Sequence, residues 1–348
     1  MTTGLGIFDD FPRTLLAHAP TPIEKMENLT AALGGPTLWV KRDDCTGLAF
    51  GGNKARQIEF YFGEALAQGA DTVLITGAVQ SNFVRTVAAA AAKLGLDCHV
   101  QLEERVKDVD DTYRTSGNVL LDRVLGAHIH SYPEGEDEAG ADRALGAIAD
   151  GLKAEGKKPY IIPLSPGHPP LGALGYVVAA RELLGQMATE GHGFDEIVLA
   201  SGSTSTHAGM LHGLRALGSD LPVLGVCVRR AAELQGPRVK ARCDDIAELL
   251  GTEPAVSDDD VRVTDVALAP GYGQLNDMTL EALELAAQKE GLVLDPVYTG
   301  KVFAGMVHQV RKSAYDDDAN VLFLHTGGQP ALFAYEPKLA EHWREAAE

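Results

Sequence analysis

The sequence has no apolar stretch approaching the roughly 18 consecutive residues that a membrane helix needs. Its start, Met1-Thr-Thr-Gly-Leu-Gly-Ile-Phe-Asp9-Asp10, lacks the basic and apolar regions of a secretory leader. Both absences point to a cytoplasmic protein with no membrane role. Basic residues are also in deficit: 30 Lys+Arg stand against 49 Asp+Glu, a formal net charge of −19. Such a surface repels nucleic-acid phosphates and anionic membranes, so no nucleic-acid partner is expected. Cysteine is scarce, and Cys45, Cys98, Cys227 and Cys243 lie far apart without a C-x-x-C pair. That pattern fits reduced structural thiols, not a disulfide framework or a zinc site, and no metal is expected. The acidic runs 258–260 and 316–318 read as solvated loops. Internal repeats and low-complexity segments are lacking as well.

What is present is an ordinary globular composition, 45% hydrophobic and 23% charged over 348 residues, with room for about two domains of roughly 150 residues each. Short β-branched runs at 38–41, 72–76, 98–102, 128–131, 160–163, 197–200, 223–228 and 321–324 alternate with helical stretches, the signature of a mostly parallel α/β architecture. Ile58, Tyr61, Phe62, Ala65 and Leu66 form an amphipathic helical stripe that ends at Gly69. Further helices are expected around 88–92, before Gly95, and over 136–155 and 280–290. Pro163-Leu-Ser-Pro166-Gly-His-Pro169-Pro170 can continue neither a helix nor a central strand and marks a domain crossover.

Three strand-to-helix loops carry candidate chemistry. Lys41-Arg-Asp-Asp-Cys-Thr-Gly47 leads into Gly51-Gly-Asn-Lys54, which delivers one lysine at a helix start, where neighbouring N–H dipoles favour its neutral, nucleophilic form. Two adjacent glycines suit a backbone that approaches something closely. The same segment nearly matches a nucleotide-binding P-loop, but the lysine is displaced by one residue and Ala55 stands where Ser or Thr would hold magnesium. In Thr76-Gly-Ala-Val-Gln80-Ser81-Asn82-Phe83, Ser81 and Asn82 face the crevice at a strand's carboxyl end, or one of them caps the following helix. Ser201-Gly202-Ser203-Thr204-Ser205-Thr206, ahead of another helix, makes a phosphate cradle from N–H and O–H donors.

In this order, together with Arg13, Pro20-Thr-Pro22, Asp295-Pro-Val-Tyr-Thr-Gly-Lys301 and His325-Thr-Gly-Gly328, these segments resemble the fold type II pyridoxal-phosphate enzymes over nearly the whole chain. The match is closest to the family of D-cysteine desulfhydrase and 1-aminocyclopropane-1-carboxylate (ACC) deaminase. The resemblance implies two open, twisted, mostly parallel sheets with helices on both faces. It further implies a small domain, 54–167, inserted into a large cofactor-binding domain, 1–53 with 168–348. Residue by residue it implies that Lys54 forms the Schiff base with pyridoxal 5'-phosphate, Asn82 bonds the cofactor's 3-hydroxyl, the loop from Ser201 to Thr206 holds its phosphate, and Thr326 faces its ring nitrogen. Ser81, with Gln80, Phe83, Gln274 and Thr299, is placed on the side of a small amino-acid substrate. Tyr272 and Tyr298 match the two pocket tyrosines. A homodimer is implied as well.

The ring-opening branch of that family has Glu and Leu where this chain has Thr299 and Thr326. A neutral hydroxyl at the ring nitrogen moderates the electron sink, so β-elimination of a 3-substituted alanine is the expected reaction. Phe83 in place of a usual His, Ser205 in place of a glycine, and Gly271-Tyr-Gly-Gln274-Leu275-Asn276, where a Pro usually precedes that Asn, depart from the pattern and bear on the substrate, with Phe83 and Gln274 on its side. L-cysteate sulfo-lyase and ACC deaminase are the alternatives within the family. A non-catalytic pyridoxal-phosphate or amino-acid binding protein is the alternative from another class, and would not need Lys54, Ser81, Tyr272 and Tyr298 together.

Overall fold

A computed structural model describes residues 10–164 and 167–345. Residues 1–9, on which the reading of the N-terminus rests, and Ser165 and Pro166 of the proline-rich boundary lie outside the described residues. The strands are β1 (Ile23–Lys25), β2 (Thr37–Lys41), β3 (Thr72–Ala78), β4 (Asp97–Glu103), β5 (His128–Tyr132), β6 (Pro159–Ile162), β7 (Glu196–Ser201), β8 (Val223–Cys227), β9 (Arg262–Thr264) and β10 (Asn320–Leu324). They form a six-stranded sheet in the order β1-β2-β10-β7-β8-β9 and a four-stranded sheet in the order β5-β4-β3-β6. Every pairing is parallel except β1 with β2.

Parallel sheets are covered on both faces, which demands continuous apolar strands, and β3 and β7 are buried along their whole length. Register follows the core: Ile75 pairs with Val100 on one side and Ile162 on the other, and all three are buried. All eight strand positions read from β-branched runs are strands, extended or trimmed by one or two residues. β1 and β9 are three-residue edges, too short to show alternation. The helix Leu171–Glu190 has no counterpart among the expected elements because its first ten residues are all buried, so no polar face marks a 3.6-residue period. It packs against the helices Asn53–Ala67 and Ser205–Ala216. Among the described residues no helix is long and apolar enough to cross a membrane.

Candidate active site

Because the strands within each sheet run parallel, the loops leaving their carboxyl ends gather on one side, where an open α/β sheet places its ligand. Loops following β3, β4, β7, β8 and β10 all line one cavity, so both sheets contribute to it.

Lys54 reaches this cavity from the first turn of the helix Asn53–Ala67. Gly52, at φ +112°, lies against the turn after β10: a Cβ there would come within 2.9 Å of the Thr326 carbonyl oxygen. Asn53 N–H donates to that carbonyl at 3.0 Å. The two glycines therefore serve close backbone approach, as the sequence suggested. Behind the turn, Arg56 donates to Asp43 and Glu182 at 2.8–3.0 Å, Lys41 donates to Glu182 at 2.6 Å, and Tyr176 donates to Asp43 at 2.5 Å. The Lys41-Arg-Asp-Asp44 segment is thus largely a buried anchor for the lysine's helix. Lys54 Nζ donates to Gln57 Oε1 at 3.1 Å and sits 4.9 Å from the centre of the Phe83 ring. Desolvation pulls its ammonium down to about 8. Burial is the cause. Lys301 is pulled down to about 8 in the same way, but donates to the Leu268 and Gly271 carbonyls and is off the cavity wall.

Ser81 caps the helix Asn82–Leu94: its Oγ accepts from Val84 N–H at 3.2 Å, which leaves the hydroxyl proton for the cavity. The capping and ligand-facing readings hold together. Asn82 Oδ1 accepts from Asn118 at 3.0 Å and Arg85 at 3.3 Å, fixing the amide so that its Nδ2 is a free donor among the described residues.

Gly202, Ser203, Thr204 and Thr206 line the cavity at the start of the helix Ser205–Ala216. No side chain caps this helix, so its first N–H groups form an anion site with the positive end of the dipole. Thr206 Oγ1 accepts from Asn53 Nδ2 at 2.7 Å and Gln57 Nε2 at 2.9 Å. With both lone pairs taken, its hydroxyl has only a proton left to offer. Two predicted members stand back: Ser201 bonds His207 and Gln235 behind the wall, and Ser205 is off the lining.

Tyr272 and Tyr298 share a hydrogen bond of 2.7 Å between their hydroxyls, with rings edge to face. Burial pushes both above the usual phenol range, so both hydroxyls hold their protons. Thr326 also lines the cavity, and its hydroxyl has no partner among the described residues.

Three residues expected to face substrate do not. Gln80 spends its amide on the Tyr113 and Ser116 carbonyls and on Asn118 N–H, bracing the neighbouring helix. Thr299, fully buried, donates to Asp295 Oδ1 at 2.7 Å and accepts from Asp295 N–H, closing the turn that orients Tyr298. Gln274 is off the cavity lining, and its Nε2 donates to the Lys107 carbonyl oxygen at 3.4 Å. Polar residues next to functional ones in sequence are here the ones that hold the loops.

Sequence reasoning missed two groups. Glu103, the last residue of β4, and Arg105 just after it line the cavity beside the tyrosines. Arg229 and Arg230, after β8, with Arg238 and Arg242, crowd its mouth. There Glu138 bonds Arg230 at 2.6 Å and Arg229 at 2.9 Å, linking the two sheets' helices and loops. Applying the carboxyl-end rule to every strand, including β4 and β8, would have found both groups.

Comparison with known proteins gives a consistent result. A relative from Salmonella schwarzengrund (strain CVM19633), named D-cysteine desulfhydrase, is 44% identical over 327 residues, covering 94% of this chain and 97% of that protein. One of the same name from Salmonella typhi is 43% identical over the same shares. A crystal structure described as an ACC deaminase homologue superposes with a TM-score of 0.85 at 36% identity, covering 98% of this chain and 99% of that one. O-ureido-L-serine synthase, at 17% identity and a TM-score of 0.66 over 95% of this chain and 94% of that one, shares the fold alone. The expected fold type II architecture is therefore the observed one. Since residues 14–327 also match the family model described as "Pyridoxal-phosphate dependent enzyme", the chain belongs to that family, and its cofactor is pyridoxal phosphate.

Proposed function

We propose that the protein is a D-cysteine desulfhydrase-like carbon–sulfur lyase that converts a 3-substituted alanine to pyruvate, ammonia and the released β group. The observation that carries this reading is the convergence of the Lys54 amine, the Ser81 helix start and the Tyr272–Tyr298 hydroxyl pair on one cavity. The near full-length identity to proteins named D-cysteine desulfhydrase supports the substrate class.

The cavity fits pyridoxal phosphate. The open helix start and the Thr206 proton suit a phosphate, the free Asn82 Nδ2 suits the 3-hydroxyl oxygen, Thr326 suits the ring nitrogen, and Lys54 is the amine for the aldehyde. When bound, the cofactor supplies an electron sink for charge developing at the substrate Cα. The chain's own residues do the rest. Ser81 Oγ–H and the adjacent helix N–H groups hold the substrate carboxylate. Lys54, neutral at slightly alkaline pH, takes the Cα proton on Nζ. The tyrosine hydroxyls, kept protonated by burial, pass a proton along their 2.7 Å contact to the departing group. A carrier or sensor would have no use for the tyrosine pair.

We further read residues 54–167 as a small domain inserted into the large one, and the protein as a cytoplasmic homodimer. Its four free cysteines support a reducing compartment. The test is pyruvate release from D-cysteine, β-chloro-D-alanine and L-cysteate, beside 2-oxobutyrate release from ACC. Pyruvate from D-cysteine with little ACC turnover supports the assignment; efficient ACC turnover without β-elimination overturns it.

A further inference from the structure

Arg105 is a buried cation on the cavity wall that the proposed chemistry leaves without a task. Its side chain is only 8% exposed. One edge of its guanidinium is held: Nε and Nη2 lie 2.9 and 2.7 Å from Glu103 Oε2, while Glu103 Oε1 accepts from Thr76 at 2.7 Å. Glu103, itself buried, is therefore a positioning residue that fixes the guanidinium plane. Nη1 has no partner among the described residues and is not closed off by protein, so it is a donor open to the cavity. Something that enters the cavity is the natural acceptor. The substrate carboxylate has its own donors at Ser81 and the helix start, on the loop after β3. Arg105 comes instead from the loop after β4, on the side of the two tyrosines.

We propose that Arg105 is the specificity residue for the group that leaves the β carbon, and that it selects a β substituent that departs as an anion of sulfur. The inference rests on the elimination reading above. The Cβ–S bond breaks with both electrons leaving on sulfur, so negative charge develops there before the tyrosines' proton arrives: a thiol substrate gives hydrosulfide, which that proton converts to hydrogen sulfide, and a sulfonate gives sulfite. The free Nη1–H donates to the sulfur or its oxygens as that charge develops, a charge-assisted hydrogen bond in a desolvated site. The field of Arg105 is already felt there: burial raises both tyrosines, and the guanidinium pulls each of them back down. Chloride leaves readily without such help, so β-chloro-D-alanine is the internal control.

The holoenzyme and Arg105→Gln are compared on two readouts. The first is the ratio of kcat/KM for D-cysteine to that for β-chloro-D-alanine, expected to fall at least about tenfold in Arg105→Gln and to recover in part in Arg105→Lys. Equal losses on both substrates, or no loss, overturn the proposal. The second is binding without turnover, followed through the cofactor absorbance: the dissociation constant for sulfite should rise at least about tenfold, with that for D-alanine, which has no β charge, moving less than about threefold. Unchanged sulfite affinity overturns the proposal even where activity is lost. If the unaltered enzyme releases no pyruvate from either amino acid, the elimination reading fails, and the sulfite titration separates that failure from failure of the Arg105 site.

Discussion

Thr206 offers the sharpest test of how the cofactor's phosphate is held. Its hydroxyl accepts from Asn53 at 2.7 Å and from Gln57 at 2.9 Å, so its proton is directed into the cavity. Thr206→Val keeps the shape and removes that donor. A hydrogen bond to a charged acceptor contributes about 1.5–3 kcal/mol, which corresponds to roughly 10- to 150-fold in a dissociation constant. The two amides also lose their acceptor, which places the expected loss toward the upper end. The assay is a cofactor titration of apoprotein in a Lys54→Ala background, so that covalent capture does not hide the equilibrium. Ser205→Gly, whose side chain is off the cavity wall, should change affinity by less than about threefold. Affinity within about twofold of the Lys54→Ala parent for Thr206→Val would refute the reasoning and put the phosphate elsewhere.

Two further outcomes follow from buried charges. Asp122 is fully buried, with neither carboxylate oxygen partnered among the described residues, and burial pushes it up to about 7 against the pull of Arg85. The folded protein then keeps a proton that the unfolded chain releases, so stability from this site is lost as pH rises from about 4 to about 7. Asp122→Asn, which cannot ionise, should raise Tm at about pH 8 and change it little at about pH 4; the same shift at both would contradict the argument. Arg56→Met leaves Asp43 and Glu182 without their common partner and should cost about 3–5 kcal/mol in chemical denaturation, whereas a loss below about 1 kcal/mol would show that the network is dispensable.

The sheets were legible because parallel strands buried on both faces need β-branched runs such as Ile197–Val198–Leu199, and each run announces itself without help from distant residues. Lys54, Ser81, Asn82 and Thr206 were legible because glycine pairs, helix starts and hydroxyl clusters are local patterns. Gln80, Gln274 and Thr299 misled for the same reason: adjacency in sequence does not tell which of two neighbouring polar groups turns inward. The helix Leu171–Glu190 was hidden by its uniform burial. Arg105 and the arginines after β8 carry no motif of their own and are marked only by their place at the carboxyl ends of strands. Their significance comes from β4 and β8 ending beside loops far away in the chain.

The central claim is that Lys54 is the residue that holds the cofactor. Borohydride reduction of the purified yellow holoprotein, followed by peptide mapping, tests it directly. Reduction fixes the cofactor on whichever amine carries it. Lys54 and Lys301 are both pulled down to about 8, but Lys301 is occupied by two backbone carbonyls and Lys41 by Glu182. The label should therefore appear on the peptide containing Lys54 and vanish in Lys54→Ala. A label on Lys301 or Lys41, or a protein that binds no cofactor, would contradict the account.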